Sequence, residues 1–270
     1  QMFDTEYEAF YIYAKTYPDN CVLLVDTYNV LKSGVPNAIK VFKELGIKKC
    51  AIRLDSGDIT YLSKKARAML DEAGMTECKI TASNSLDEYI IRDVIHQGAT
   101  LDSFGVGERL ITSESDPVFG GVYKLVAVED DKGNVIPKIK ISENPTKITT
   151  PHFKKVYRIY CKDMLKAEAD LICVYDEVID TSKPLTIFDP DYTWKRKTFE
   201  DFTIKELLVP VFKNGECVYD RPSIEEIRAY CAKQIDEQWD EVKRFENPHN
   251  YYVDLSQKLW DIKYRMLNRE

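Results

Sequence analysis

Ala51-Ile52-Arg53-Leu54-Asp55-Ser56-Gly57-Asp58 runs from an apolar alternation straight into a polar, Gly-containing tip. The residues that follow, Ile59 to Ala73, set Ile59, Leu62, Ala66, Met69 and Leu70 at helical spacing before a terminating Gly74. The stretch reads as a strand, a tight polar tip, and a helix capped by Asp58. The same unit recurs three more times in architecture, though not in sequence. Val22–Val25 ends in Asp26-Thr27-Tyr28, Ile80–Ala82 in Ser83-Asn84-Ser85, and Ser103-Phe104 in Gly105-Val106-Gly107. The starts of the four runs are 29, 29 and 23 residues apart, the length of a strand, a helix and two short loops. This alternation predicts parallel βα units with right-handed crossovers. A closed βα barrel takes eight units. The four found here predict a partial, irregular barrel whose strand edges need another element to cover them, and no candidate for it follows in the chain.

Outward from this core, residues 4–16 (DTEYEAFYIYAKT) suit a short helix before Pro18, and Leu86 to Gln97 suits another, with Leu86, Ile90, Val94 and Ile95 on one side and a stop at Gly98. After Pro117 the pattern becomes β-rich. Val122–Val128, Val135–Ile141, Val156–Tyr160 and Leu171–Val174, with a turn signal at Asp131-Lys132-Gly133-Asn134, predict an antiparallel sheet. Thr181 to Trp194 reads as a Pro-containing loop. Helices are expected from Ser223, boxed by Glu226, to about Phe245, and from about Tyr251 to Leu267. The fold class expected is thus α/β, with a partial barrel over 1–118 and a β-rich and helical domain over 119–270.

The 270 residues are 44% apolar and 31% charged, an ordinary globular composition. With 38 basic against 45 acidic residues the net charge is −7, which argues against nucleic acid or an anionic membrane as partner. No apolar run approaches the ~20 residues that span a bilayer. The acidic start at Gln1 carries no signal peptide and lacks Met, so a truncated or processed start is expected. Seven Cys without a Cys-x-x-Cys, and only three His, read as reduced core thiols of a cytoplasmic protein rather than a metal site.

In parallel βα architectures, ligands bind at the carboxyl ends of the strands, and here all four ends are polar or Gly-rich. Alternation puts Arg53 and Asp55 on one face of the second strand, and Leu24 and Asp26 on one face of the first. Arg53 offers bidentate recognition of a carboxylate or phosphate, and Asp55 an acceptor for ribose hydroxyls; the alternative is an Arg–Asp pair closing one end of a barrel. Asp26 and Asp55 together suit Mg²⁺ held partly through water and substrate oxygens, unless Asp26 caps the next helix. Ser83 and Asn84, with the Gly105-Val106-Gly107 turn, supply hydroxyls and open backbone N–H groups for a phosphate, although a lone Gly-x-Gly also serves as a tight turn. Together these features suggest a phosphorylated ribosyl ligand with Mg²⁺.

The ordered set Leu24-Val25-Asp26-Thr27-Tyr28, Ile52 to Asp58, Ala82-Ser83-Asn84-Ser85-Leu86-Asp87-Glu88, Phe104 to Ser113, Pro117 to Leu125 and Tyr251 to Ser256 resembles successive motifs of nicotinate phosphoribosyltransferase, most of all the bacterial form. The resemblance implies a type II phosphoribosyltransferase fold, an irregular α/β barrel with a mixed domain, working as a homodimer when full length. It implies a reaction joining nicotinate to phosphoribosyl pyrophosphate, coupled to ATP hydrolysis through a phosphohistidine, in salvage to NAD. Carried over by position, Arg53 would face the pyridine carboxylate, Asp55 the ribose hydroxyls, and Asp26 the Mg²⁺ and pyrophosphate. Ser83, Asn84, Gly105, Val106 and Gly107 would cradle the 5′-phosphate.

The family's phosphorylated His lies in a segment just before the residues that match Gln1 and Phe3. His96, His152 and His249 do not match that motif, and His152 stands where the family commonly has Gly. These 270 residues alone are therefore expected to show no ATP-coupled synthesis. Two other readings are a non-catalytic phosphoribosyl-binding fragment and a related type II enzyme using nicotinamide or quinolinate.

Overall fold

The computed structural model describes residues 2–118, 120–163 and 165–268. Phe119, part of the quoted Pro117 to Leu125 motif, and Gln1 lie outside the described residues. The chain divides into two compact units, Gln1–Gly120 and Gly121–Glu270.

In the first unit, α1 (Glu6–Thr16), β1 (Cys21–Leu24), α2 (Val35–Leu45), β2 (Cys50–Leu54), α3 (Ile59–Glu72), β3 (Lys79–Ala82), α4 (Glu88–His96), β4 (Ser103–Phe104) and the single turn α5 (Glu108–Ile111) follow one another. The strands lie in the order β1-β2-β3-β4, all parallel, with Leu24, Arg53, Thr81 and Ser103 in one row across the sheet. Alternation buries Cys21, Leu23, Ile52, Leu54 and Ile80 in one core with Val35, Val41 and Phe42 of α2 and Ala66 and Leu70 of α3. The opposite face, carrying Val22, Leu24, Ala51, Arg53, Thr81 and Ser103, is at least partly exposed. The four βα units of the sequence are present as an open parallel sheet.

Local chemistry sets the element ends. Thr5 and Glu8 form a capping box that starts α1. The Asp58 carboxylate accepts the Tyr61 N–H at 2.9 Å and starts α3 where the sequence places it. Asp58→Ala is expected to destabilise this unit by about 1 kcal/mol and Asp58→Ser by much less, read from denaturant midpoints at unchanged slope. Helix α4 begins two residues later than Leu86, because the Asp87 carboxylate takes the Ile90 N–H at 2.8 Å and makes Asp87 the cap. Its expected apolar side is only half buried: Leu86 and Val94 are in the core, whereas Ile90 and Ile95 are exposed. Between β1 and α2 runs a π-helical turn, Val30–Gly34. A Cβ at Gly34 would stand 1.9 Å from the Val25 carbonyl oxygen, so only glycine lets this turn pack against the end of β1.

The second unit contains β5 (Ala127–Glu129), β6 (Val135–Pro137), β7 (Lys154–Cys161), β8 (Ala167–Val174), β9 (Leu185–Phe188), β10 (Arg196–Phe199), β11 (Phe202–Glu206), β12 (Phe212–Lys213), β13 (Glu216–Cys217), α6 (Ile224–Asp236), β14 (Tyr252–Leu255) and α7 (Gln257–Asn268). Its main sheet is ordered β11-β7-β8-β14, with Ile159, Ala169, Leu171, Cys173 and Phe202 in the core. Four expectations need correction. The sheet is mixed, since β14 pairs parallel to β8. The expected loop Thr181 to Trp194 contains β9, which pairs with β10. Helix α6 stops at Asp236 instead of reaching Phe245, because the Glu237 carbonyl goes to the N–H of Ala167 and Lys166 Nζ takes the carbonyls of Asp236 and Gln238. The last expected helix loses its first turn to β14, whose Tyr-Tyr-Val composition favours a strand once β8 is beside it.

The Asp254 side chain on β14 is buried at 4% exposure and accepts no hydrogen bond from the described residues. Burial, and then the negative charge of Asp189, push its carboxyl up to about 6. Because the folded value lies above the unfolded one, the associated stability is fully present below about pH 4 and is lost as pH rises through about 6. Asp254→Asn is therefore expected to stabilise the protein by about 1–3 kcal/mol at pH 8 and to change little near pH 4, as paired thermal melts would show.

All seven cysteines are free thiols. Cys21, Cys50, Cys78 and Cys173 are buried as expected, but Cys217 on β13 and Cys231 on α6 are exposed, so the reading of core thiols fails for those two. Among the described residues, no helix is long and apolar enough to cross a membrane.

Candidate active site

At the carboxyl ends of β1, β2 and β3, four of the side chains singled out from the sequence join in one hydrogen-bonded cluster. Asp26 Oδ2 accepts the backbone N–H of Asp55 at 2.9 Å and the hydroxyl of Ser56 at 2.6 Å. Asp26 thus braces the tip of the neighbouring strand; the next helical turn is capped by Asn29, which accepts the Lys32 N–H at 2.8 Å. Arg53 donates from Nε to Ser83 Oγ at 2.8 Å and from Nη2 to Asp55 Oδ1 at 3.2 Å, as two residues apart on one strand face allow. Ser83 Oγ–H in turn donates to Asp55 Oδ1. The Ser83 hydrogen bond, with the Arg53 hydrogen bond and charge, holds the Asp55 carboxyl below the usual carboxylate range against the opposing effect of burial. Asp55 is thus firmly ionised at neutral pH.

This triangle leaves chemistry to spare. Arg53 is 49% and Asp55 42% exposed at the side chain. The guanidinium keeps Nη1 without a bond among the described residues. Asp26 Oδ1 and Asp55 Oδ2 likewise accept none. One cation and two carboxylates therefore present unfilled valences at one end of a parallel sheet, where such folds bind ligands.

The third and fourth tips differ from expectation in detail. Ser83 is 4% exposed, and its hydroxyl is committed to Arg53 and Asp55. Asn84 and Ser85 are exposed, in the left-handed region at φ 92° and 47°. The Gly105 N–H is spent on the Ala82 carbonyl at 2.7 Å, which leaves the turn at Val106 and Gly107 as its open part. Gly105 passes so close to Ser83 that a Cβ there would meet the Ser83 Cβ at 3.3 Å, while one at Gly107 would meet nothing within 4 Å. The sequence reading missed two residues. Ser56 holds Asp26, and Arg109 joins the third tip to the fourth by pairing with Asp87 and, at 3.1 Å, with Glu114. The signal for Arg109 was its place in the first turn after the Gly-x-Gly, opposite the helix-capping Asp87.

Among the described residues, no group of three or more His, Cys, Asp or Glu side chains could hold a metal ion by itself. His96 ends α4, whereas His152 and His249 belong to the second unit. His152 sits in the left-handed region at φ 78°, the conformation that a glycine adopts most readily.

Comparison with known proteins finds relatives for this chain. Residues 153–263 match the model of the nicotinate phosphoribosyltransferase C-terminal domain. A nicotinate phosphoribosyltransferase of Bacillus subtilis is 47% identical over 99% of this chain and 55% of its own length. One from Dictyostelium discoideum is 35% identical over 97% of this chain and 46% of its own. The crystal structure of human nicotinic acid phosphoribosyltransferase superposes with a TM-score of 0.75 at 25% identity, covering 97% of this chain and 50% of the human one. The chain spans about half the length of the curated relatives it matches. Along nearly its whole length the chain is similar to nicotinate phosphoribosyltransferases.

Proposed function

We propose that this chain is the C-terminal part of an enzyme that transfers the phosphoribosyl group of phosphoribosyl pyrophosphate to nicotinate, giving nicotinate mononucleotide and pyrophosphate, with ATP hydrolysis, in cytoplasmic salvage to NAD. The single observation that carries this reading is the bonded cluster of Asp26, Arg53, Asp55 and Ser83 at the strand tips. In this reading the four βα units of residues 1–118 form part of an irregular barrel, with residues 119–270 as the adjoining domain, and the complete protein works as a homodimer.

The transition state of such a transfer has oxocarbenium character, so stabilisation is needed at the ribose ring and on the leaving pyrophosphate. Arg53 holds the pyridine carboxylate through its free guanidinium edge, and Asp55 accepts the ribose hydroxyls beside the developing positive charge. Asn84, Val106 and Gly107 border the 5′-phosphate, with Ser83 and Gly105 shaping that border from beneath. The unfilled oxygens of Asp26 and Asp55 fit Mg²⁺, which commonly takes one or two carboxylates and completes its shell with water and phosphate oxygens. Bound there, Mg²⁺ would neutralise charge on the departing pyrophosphate.

The test uses the protein completed to the length of its relatives. Incubated with phosphoribosyl pyrophosphate, Mg²⁺, ATP and an equimolar mixture of nicotinate and nicotinamide, it is expected to consume nicotinate. A preference for nicotinamide would replace the proposed substrate. Binding of phosphoribosyl pyrophosphate without any product would reduce the protein to a binding module.

A further inference from the structure

Three cysteines far apart in sequence stand side by side at the other end of the same sheet. Cys21 and Cys50 are register partners on β1 and β2, and Cys78 immediately precedes β3, whose Lys79 is the register partner of Ala51. Their exposures are 1%, 6% and 2%, and all three belong to one packed core. By that register Cys78 stands opposite Cys50, with its thiol turned to the Lys79 carbonyl at 3.9 Å.

The neighbouring Cys78 thiol, helped by the charge of Arg67, draws the Cys50 thiol down in pKa against the opposing effect of burial. The same proximity, reinforced by burial, pushes Cys78 up and keeps it protonated. Burial and the proximity of Cys50 push Cys21 up to about 11. Arg67 is fixed in place, donating to the carbonyl of Cys78 at 2.6 Å, to that of Met75 at 2.8 Å, and to Asp71 at 2.9 Å. Cys50 also lines two cavities, one of about 360 Å³ with Cys21, Lys48, Lys49 and Lys79, the other of about 450 Å³ with Cys78, Lys43 and Lys48. A small oxidant thus has room beside the sulfur that, of these three, most readily becomes a thiolate, with a protonated partner opposite it at the start of the next strand.

We propose that Cys50 and Cys78 are a peroxide-sensitive thiol pair, with Cys50 the attacking sulfur and Cys78 the resolving one. The Cys50 thiolate attacks one oxygen of hydrogen peroxide; the O–O bond breaks, hydroxide leaves, and Cys50 becomes a sulfenic acid. The Cys78 sulfur then attacks Cys50. The S–O bond breaks, the Cys78 proton leaves with the hydroxyl as water, and a disulfide forms, so that two electrons have passed from sulfur to peroxide. Neighbouring strands run about 4.8 Å apart, inside the ~4.4–6.8 Å Cα separation of disulfides. Cys78 lies just outside the ladder, after the turn at Met75 to Glu77, which gives its backbone room to adjust. The proposal is independent of the transferase reading, since none of these groups belongs to the Arg53 cluster.

The experiment treats the chain with hydrogen peroxide, alkylates the remaining thiols, and maps the peptides by mass spectrometry under non-reducing conditions. The expected result is a Cys50–Cys78 link that costs the chain two hydrogens in mass and is reversed by dithiothreitol. In Cys78→Ser, dimedone is expected to trap a sulfenic acid on Cys50 instead. Oxidation confined to the exposed Cys217 and Cys231, with Cys50 and Cys78 recovered alkylated, would overturn the proposal, as would a Cys50–Cys21 link. The wild-type map alone decides these outcomes if a variant fails to fold.

Discussion

Asp55→Ala, in the protein completed to the length of its relatives, is expected to lower kcat/KM for phosphoribosyl pyrophosphate by ~10²–10³-fold, the usual cost of removing one preorganised electrostatic partner of a transition state. In the proposed reaction the carboxylate would face the developing positive charge, and the Ser83 and Arg53 contacts keep it ionised. Most of the loss should appear in kcat, because the interaction strengthens as pyrophosphate departs. Asp55→Asn keeps an acceptor oxygen for Ser83 and Arg53 but removes the charge, and is expected to lose nearly as much. Stability should barely move. The Arg53–Asp55 pair is about half exposed, and such pairs contribute ~0–1 kcal/mol. Turnover within a few-fold of wild type in both variants, with the melting temperature unchanged, would remove Asp55 from the catalytic machinery and leave the cluster as a brace for strand tips.

What the sequence disclosed about this site and what it concealed separate along one line, the range of the interaction. The βα units were legible because a strand, its tip and its helix are contiguous, and because Asp58 caps a helix that begins at the next residue. Arg53 and Asp55 could be paired on paper because alternation along one strand is local. The bonds from Asp55 and Ser56 to Asp26, the commitment of the Ser83 hydroxyl, and the Arg109–Asp87 pair all depend on which strand lies beside which, and at what register. No spacing rule supplies that. For the same reason Tyr251 to Leu255 read as helix until β8 stood beside it, and cysteines scattered in sequence became a row in space. The unexpected end of α6 has the same origin, since its last carbonyls are claimed by the start of β8.

The second unit offers the sharpest test of such long-range bonding. Arg158 on β7 donates from Nε and Nη2 to both carboxylate oxygens of Asp170 on β8, at 2.8 and 2.9 Å, and from Nη1 to Gln234 on α6 at 3.3 Å. Tyr251, just ahead of β14, donates to Asp170 at 2.9 Å. The Arg158 and Asp170 side chains are only 17% and 13% exposed. Arg158→Ala removes the guanidinium and leaves a buried carboxylate with Tyr251 as its remaining donor. The expected cost is about 3–5 kcal/mol, the range for breaking a buried pair by deleting one partner. At ~2–4 °C per kcal/mol for a domain of this size, the melting temperature should fall by roughly 6–20 °C. The charge itself is the cause, so its removal from both sides should restore much of the loss: Arg158→Met combined with Asp170→Leu is expected to melt well above Arg158→Ala. If Arg158→Ala costs less than ~1 kcal/mol, water must reach Asp170 in place of the guanidinium, and the bidentate pair contributes no more than an exposed one. If instead the double variant falls as far as the single one, lost packing of the Arg158 stem against its neighbours outweighs the stranded charge.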